Sequence, residues 1–172
     1  MKKIIFIGLA FLFPLGLLAQ RAAVVKVDAS LVPDAVKQQQ ATKYPGVTVE
    51  RWDKKTVTSR KGVTVTRFVA VFSLDNQRVR ARYAPDGTPL TASLYLRPDM
   101  LPQPVTDACK NKYPGMTITA GEKITVFKTG REVYRIRLRK ANAVTIVCLN
   151  PDGTDVETKM TQEELSESAN EE

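Results

Sequence analysis

The stretch LVPDAVKQQQATKYPG, residues 31–46, decides the fold, because a second stretch of the same pattern, MLPQPVTDACKNKYPG, follows at residues 100–115. Each has a proline near its start and ends in Lys-Tyr-Pro-Gly. Proline is favoured in the first turn of a helix, where its missing N–H is not needed, and the residue before a proline avoids helical backbone angles. Each stretch therefore predicts one short helix that ends at its tyrosine.

The signals after each helix also recur in the same order. β-Branched residues dominate the sequence that follows, and Pro-Asp-Gly appears at residues 85–87 and again at 151–153. Asp-Gly between stretches of alternating polarity is typical of a β-hairpin turn, and self-similarity along a chain indicates tandem units. We expect an α+β fold of two tandem repeats, residues 31–96 and 100–160, each a short helix followed by a four-stranded antiparallel meander.

Residues 1–19 have the pattern of a secretory signal peptide. Two lysines precede an apolar run from Ile4 to Leu18 that contains a proline, and Ala19 places a small residue at its end. The run is short for a bilayer span, although an uncleaved anchor is the alternative. Cleavage would leave residues 20–30 as a lead-in to the first repeat, and we expect a periplasmic or secreted protein with no membrane attachment.

The composition excludes most catalytic chemistry. The chain of 172 residues has no histidine, so Ser-His-Asp triads, Cys-His dyads and imidazole metal ligands are impossible. It also has no phosphate-binding glycine motif, no calcium-loop pattern and no CxxC pair. We expect a protein that is not an enzyme, with no catalytic residue, no cofactor and no bound metal.

Side chains along each predicted strand point alternately to the two faces of a sheet. Phe68, Ala70 and Phe72 share the face that the first helix would cover. A two-residue loop at Asp75-Asn76 would set valines opposite arginines on the other face, and the equivalent turn of the second repeat would set arginines opposite apolar residues. The residues that we predict to bind a partner on that other face are Val69, Val71, Arg78, Arg80, Arg82, Arg135, Arg137, Arg139 and Ile146.

A face that combines arginine with apolar side chains is typical of a protein interface. We expect an exported protein partner with an acidic or aromatic surface. The alternative is a solvated sheet face, on which long basic side chains cover exposed aliphatics and discourage aggregation. Nucleic acid is not an expected partner, because the chain has an export signal and the arginines of this face are not interleaved with aromatic residues.

Trp52 lies in a segment where the two repeats differ, and we add it to the predicted partner-binding residues. The alternative is that Trp52 covers one end of the core. Strand phase places Cys109 on the helix-covered side and Cys148 on the other face, too far apart for a bridge whose Cα atoms lie within about 7 Å. We therefore expect two free thiols.

Residues 161–172 form an acidic C-terminal tail that contains five glutamates and no basic residue. Such a segment usually keeps a protein soluble. An alternative hypothesis is that the tail shields the arginine face.

The chain resembles the PepSY-like exported proteins of Bacteroidetes-type bacteria, which are related in architecture to the β-lactamase inhibitory proteins. The resemblance covers about residues 31–160 and is carried by Val32-Pro33, Tyr44-Pro45-Gly46 and Asp86-Gly87 with their second-repeat counterparts. It implies a periplasmic or secreted module that binds or inhibits another protein, such as a peptidase or other hydrolase. The chain lacks the paired disulfides of the β-lactamase inhibitory proteins, so inhibition of a β-lactamase is not implied.

These observations together predict an exported, non-enzymatic module that binds or inhibits a protein. The alternative function is a periplasmic carrier that holds an anionic small molecule or glycan on the same basic face. A carrier would have a deep pocket with converging hydrogen-bond donors, whereas a protein-binding module would have a flat or gently concave surface.

Overall fold

The computed structural model describes residues 22–58 and 64–156, which form one antiparallel sheet and two short helices. The predicted signal peptide (1–19) and acidic tail (161–172) lie outside the described residues. The helices are α1 (Asp34–Lys43) and α2 (Gln103–Lys112). The strands are β1 (Ala22–Val27), β2 (Arg51–Thr58), β3 (Thr64–Leu74), β4 (Gln77–Tyr83), β5 (Pro89–Leu96), β6 (Thr117–Val126), β7 (Arg131–Lys140) and β8 (Ala143–Leu149).

Both helices lie where the proline and Tyr-Pro-Gly motifs predict them. Pro33 and Pro102 occupy the position before the first helical residue, with extended backbone angles that lead into the helix. Tyr44 closes α1 with φ −132° and ψ 71°, as expected for a residue before proline, and its N–H still donates to the Gln40 carbonyl at 2.9 Å. The local signals for the helix ends are therefore sufficient to place them.

The predicted fold class, an α+β protein of two tandem helix-plus-four-strand repeats, is wrong. The structure is mostly β, with its eight strands joined in chain order into one sheet. β1, which precedes the first predicted repeat, pairs with β2, and β5 pairs with β6 across the predicted boundary. After β8 the described chain forms an isolated antiparallel bridge, Leu149 to Asp155, and the rest of the predicted fourth strand of the second repeat lies outside the described residues.

The physical reason for the error lies at the strand edges. An unpaired edge leaves a row of backbone N–H and C=O groups without partners, and pairing β5 with β6 satisfies both rows at once. The pattern within each repeat is local, so it does not reveal a pairing made between the two halves of the chain.

The hairpin registers on which the arginine face depends are as predicted. Val71 lies opposite Arg80 in the β3–β4 pair, and Arg137 lies opposite Ile146 in the β7–β8 pair. Asp75 and Asn76, in the turn between β3 and β4, have φ values of 50° and 61°. Positive φ at both positions is typical of a two-residue hairpin loop, because the twist of such a loop matches the twist of the strands that it joins.

Both helices pack on one face of the sheet, which we call the helix face. Val36 of α1 packs with Phe72 and Tyr83, and Val105 of α2 packs in a second cluster with Ile136. The turn between β4 and β5 holds α1 closely, since a Cβ on Gly87 (φ 89°) would lie 2.7 Å from the Ala35 carbonyl oxygen. In the described part of the chain, neither helix is long and apolar enough to cross a bilayer.

Candidate binding face

The opposite face of the sheet, which we call the far face, is strongly basic. Residues that pair across antiparallel strands share a face, so the registers assign each strand residue to one side. The far-face strand carboxylates of the described chain are Asp53 and Glu122. The far-face basic residues are Lys26, Arg51, Lys55, Arg67, Arg78, Arg80, Arg82, Arg131, Arg135, Arg137 and Arg139.

The structure brings nine of the ten predicted binding residues onto this face but does not expose all of them. Arg78, Arg137 and Arg139 are exposed, Arg80 is half-buried, and Ile146 is 50% exposed. The buried members are Val69, Val71, Arg82 and Arg135. They cannot form the accessible rim that the sequence predicts, because the far face is itself largely buried, and only the exposed members are available for direct contact.

Trp52 lies on the helix face, away from the other predicted binding residues. It pairs with Ala70 across β2 and β3 and is buried in the cluster beneath α1. The alternative interpretation of this tryptophan, a cover for the core, is therefore the one that the structure supports.

The buried layer of the far face is polar and charged. Arg82 is 1% exposed and donates to the Ser93 hydroxyl at 2.8 Å. Arg51 donates to the buried Asp53 carboxylate through Nη2 at 2.8 Å. Burying a charge is unfavourable unless polar partners replace its water. The layer therefore combines polar contacts with buried apolar side chains such as Val69, Val71 and Ile124.

A buried ion pair lies near the centre of β6 and β7. Arg135 Nη2 is 2.5 Å from Glu122 Oε2, and the two side chains are 9% and 4% exposed. Removal of one partner from such a pair leaves an uncompensated charge, which is strongly destabilising.

A small pocket opens beside this ion pair. Its walls include Tyr95, Glu122, Arg137 and Ile146, and its volume is about 30 Å³. The Tyr95 hydroxyl and both Glu122 carboxylate oxygens are buried there and have no well-aligned hydrogen-bond partner. Burial raises the pKa of the Tyr95 phenol, and Glu122 raises it further. The space suits one water molecule or one small donor group.

Tyr95 also contacts part of the basic surface. The Arg80 guanidinium carbon lies 5.0 Å from the centroid of the Tyr95 ring, within the range of a cation–π contact. Tyr95, Glu122 and Lys55 were not among the predicted binding residues because those residues, apart from Trp52, were taken only from the hairpins β3–β4 and β7–β8. The same alternation, extended along β2, β5 and β6, would have placed all three on the far face.

The two cysteines are free and lie on opposite faces, as predicted. Cys109 lies on the buried side of α2, in the core cluster of the helix face, and Cys148 pairs with Arg135 on the far face. Burial raises the pKa of both thiols, so neither is an activated nucleophile. Within the described residues, no cluster of three or more acidic or cysteine side chains could hold a metal ion.

The comparisons with known proteins identify a shared fold and no family. No protein-family model matches the chain, and no curated protein matches it. The PepSY-like resemblance therefore remains a prediction.

The chain is similar to solved structures from Bacteroides species. A candidate periplasmic protein of Bacteroides eggerthii has 17% identity and a TM-score of 0.60, and the match covers 73% of this chain and 86% of that one. A DUF2874 family protein of Bacteroides uniformis has 15% identity and a TM-score of 0.60 over 73% of this chain and 86% of its own. A BLIP-like protein of Bacteroides fragilis has 16% identity and a TM-score of 0.57 over 73% and 84%. The chain thus shares a BLIP-like architecture with these proteins.

Proposed function

We propose that this chain is an exported, non-enzymatic module that binds another protein through the far face, with a partner surface that is acidic or aromatic. The observation that carries the proposal is the excess of basic over acidic side chains on one sheet face. Exposed Val144 and Ile146 lie beside the exposed Arg137 and Arg139 on the same edge. Arginine next to apolar surface is the composition of interface anchors.

Two observations support export to the periplasm or beyond. The first 19 residues have the charge and hydropathy pattern of a signal peptide. One solved structure with the same fold is a candidate periplasmic protein. Export also makes a protein a better candidate partner than nucleic acid.

An inhibitory role is the more specific form of the proposal. The BLIP-like protein of Bacteroides fragilis has the same architecture, and the PepSY-like proteins that the sequence resembles are related in architecture to the β-lactamase inhibitory proteins. We infer that the partner is an exported hydrolase or peptidase whose activity falls when the far face binds it. A basic face suits such a target if the target has an acidic surface around its active-site cleft.

The second candidate is a carrier of an anionic small molecule or glycan. The pocket beside the Glu122–Arg135 ion pair, with a volume of about 30 Å³, is too small to be the site of such a carrier, because sites for small ligands usually measure about 300–1,000 Å³. A carrier would also retain a ligand through dialysis, which mass spectrometry of the native protein would detect.

Charge reversal on the exposed part of the far face tests the proposal. The test variant combines Arg78→Glu, Arg137→Glu and Arg139→Glu. The matched control combines Lys54→Glu, Lys110→Glu and Lys140→Glu, which change the net charge by the same amount at exposed residues that are not on the far face. Pull-downs from the envelope fraction of the source organism identify the partner by mass spectrometry, and binding of the purified partner is then measured.

We expect the test variant to lose at least about tenfold in affinity, since each exposed charge pair contributes about 0.2–1 kcal/mol and reversal adds repulsion. The control should keep its affinity. Equal recoveries for the unchanged chain and the far-face variant would overturn the proposal. If the captured partner is a hydrolase and its activity falls when this chain binds it, the inhibitory role would be established.

A further inference from the structure

The described chain ends on the far face. The Val156 side chain packs against Ile124 and Val133 of that face, and its N–H donates to the Cys148 carbonyl at 3.3 Å. Residues beyond Val156 therefore start at the β8 edge of the sheet, beside Cys148, which pairs with Arg135. The starting point of the C-terminal segment is fixed next to the basic surface.

The sequence that follows has the opposite charge. Residues 157–172, ETKMTQEELSESANEE, contain glutamates at 157, 163, 164, 167, 171 and 172 and one lysine, Lys159. The far-face strands, as far as residues 22–58 and 64–156 are described, have the reverse imbalance, with many arginines and two carboxylates. The two parts of the chain are thus complementary in charge.

The segment is long enough to cross the basic surface. An extended chain covers about 3.3 Å per residue, so the segment reaches up to about 50 Å. Neighbouring strands are about 4.8 Å apart, so the path from β8 to β4 measures about 19 Å. The glutamates from residue 163 onward can therefore reach both arginine groups, the one on β7 and the one on β4.

We propose that the acidic segment 157–172 binds in cis across the far face and competes there with the external partner. This inference rests on the proposed function of the same face and defines the chemistry that the face recognises: a glutamate-rich peptide segment. A tethered segment has an effective concentration of about 1 mM, so even weak contacts keep the face occupied until a partner displaces it.

A synthetic peptide with the sequence of residues 157–172 tests this proposal in trans. It is titrated into the unchanged chain and into a full-length variant in which Glu163, Glu164, Glu167, Glu171 and Glu172 are all changed to Gln. We expect the peptide to bind the Gln variant at least tenfold more tightly, because the neutral tail no longer occupies the face. Raised salt should weaken that binding, and a peptide with Gln at every Glu should not bind.

Adding Arg137→Glu and Arg139→Glu to the Gln variant should abolish peptide binding, whereas Lys54→Glu and Lys110→Glu should leave it unchanged. Equal peptide affinity for the unchanged chain and the Gln variant would overturn the proposal, as would a difference that depends on protein concentration, since that indicates binding between copies. If the peptide test fails while arginine-dependent capture of the external partner persists, the proposed function stands and the tail contact alone is wrong.

Discussion

The helix face and the far face of the same sheet are both buried, but they bury different chemistry. Phe72 and Ile136 on the helix face are fully buried among apolar side chains. Lys55 and Arg82 on the far face are each 1% exposed. Apolar burial stabilises a fold by about 25 cal/mol per Å², whereas the desolvation of a charge offsets much of what its partners contribute. The helix face therefore contributes most of the apolar stabilisation, whereas the far face holds charged side chains in buried positions.

A matched pair of isoleucines gives the largest expected effect. Ile136 lies in the helix-face cluster and Ile124 in the small far-face cluster, and both are almost completely buried. We expect Ile136→Ala to lower the free energy of unfolding by about 4 kcal/mol and Ile124→Ala by about 2 kcal/mol, because a cavity among several apolar neighbours loses more contacts. Urea unfolding measures both. Equal losses would contradict the conclusion that apolar packing on the helix face stabilises the fold more than apolar packing on the far face.

The Glu122–Arg135 ion pair gives the next largest effect. We expect Arg135→Met to lower the free energy of unfolding by about 3 kcal/mol, because it leaves the Glu122 carboxylate buried without its cation. The double variant Arg135→Met with Glu122→Gln should recover most of that loss. Arg137→Met, two residues along the same strand and exposed, is the control and should change stability by less than about 0.5 kcal/mol. A double variant as unstable as Arg135→Met would show that the pair is not coupled.

The two helices and the hairpin registers could be predicted from the sequence because their signals are local. Pro33 and Tyr44 delimit α1 by backbone stereochemistry, and Asp75-Asn76 sets the β3–β4 register by turn geometry. The single sheet could not be predicted, because the pairing of β5 with β6 leaves no local mark in either strand. The burial of the far face was missed for a related reason. Arg82 is a polar residue at an alternating position, and its sequence context is the same whether the face is solvated or covered.

Close contact between a turn and a helix makes the helix face sensitive at one glycine. Gly87 has a positive φ and would place a Cβ against the Ala35 carbonyl oxygen, whereas Gly46 has φ 75° with no atom within 4 Å of the added Cβ. We expect Gly87→Ala to lower the free energy of unfolding by about 2 kcal/mol or more and Gly46→Ala to lower it by about 1 kcal/mol. Both alanines would adopt a strained left-handed backbone, but only the one at residue 87 would also clash with a neighbouring atom. Thermal unfolding distinguishes them. A loss at Gly87 no greater than at Gly46 would mean that the turn and α1 move apart freely.

Two buried phenols report on the polar contacts of each face. Tyr83 on the helix face donates to Gln40 Oε1 at 2.6 Å, whereas the Tyr95 hydroxyl on the far face has no well-aligned partner. We expect Tyr83→Phe to lower the free energy of unfolding by about 1–2 kcal/mol and Tyr95→Phe to change it by less than about 0.5 kcal/mol, because only the first leaves a buried acceptor unpaired. A large loss at Tyr95 would indicate that a water or another donor normally occupies the far-face pocket.

The same phenols predict a small difference in alkaline stability. Burial raises the pKa of Tyr83, with a further contribution from Tyr44. Burial and then Glu122 raise the pKa of Tyr95, where Arg80, Arg82 and Arg135 act in the opposite direction. A phenol whose pKa is raised by folding stabilises the protein fully below its unfolded pKa of about 10, and this contribution is lost as the pH rises further. Between about pH 9 and pH 11 we expect the unchanged protein to lose up to about 1.4 kcal/mol per phenol. Tyr83→Phe should reduce this loss more than Tyr95→Phe, because the arginines already favour the phenolate at Tyr95. Urea unfolding across this pH range, with tyrosinate absorbance as the titration signal, measures the alkaline loss of stability in each variant. If Tyr95→Phe reduced that loss more than Tyr83→Phe, the basic side chains of the far face would not lower the pKa of Tyr95 enough to matter.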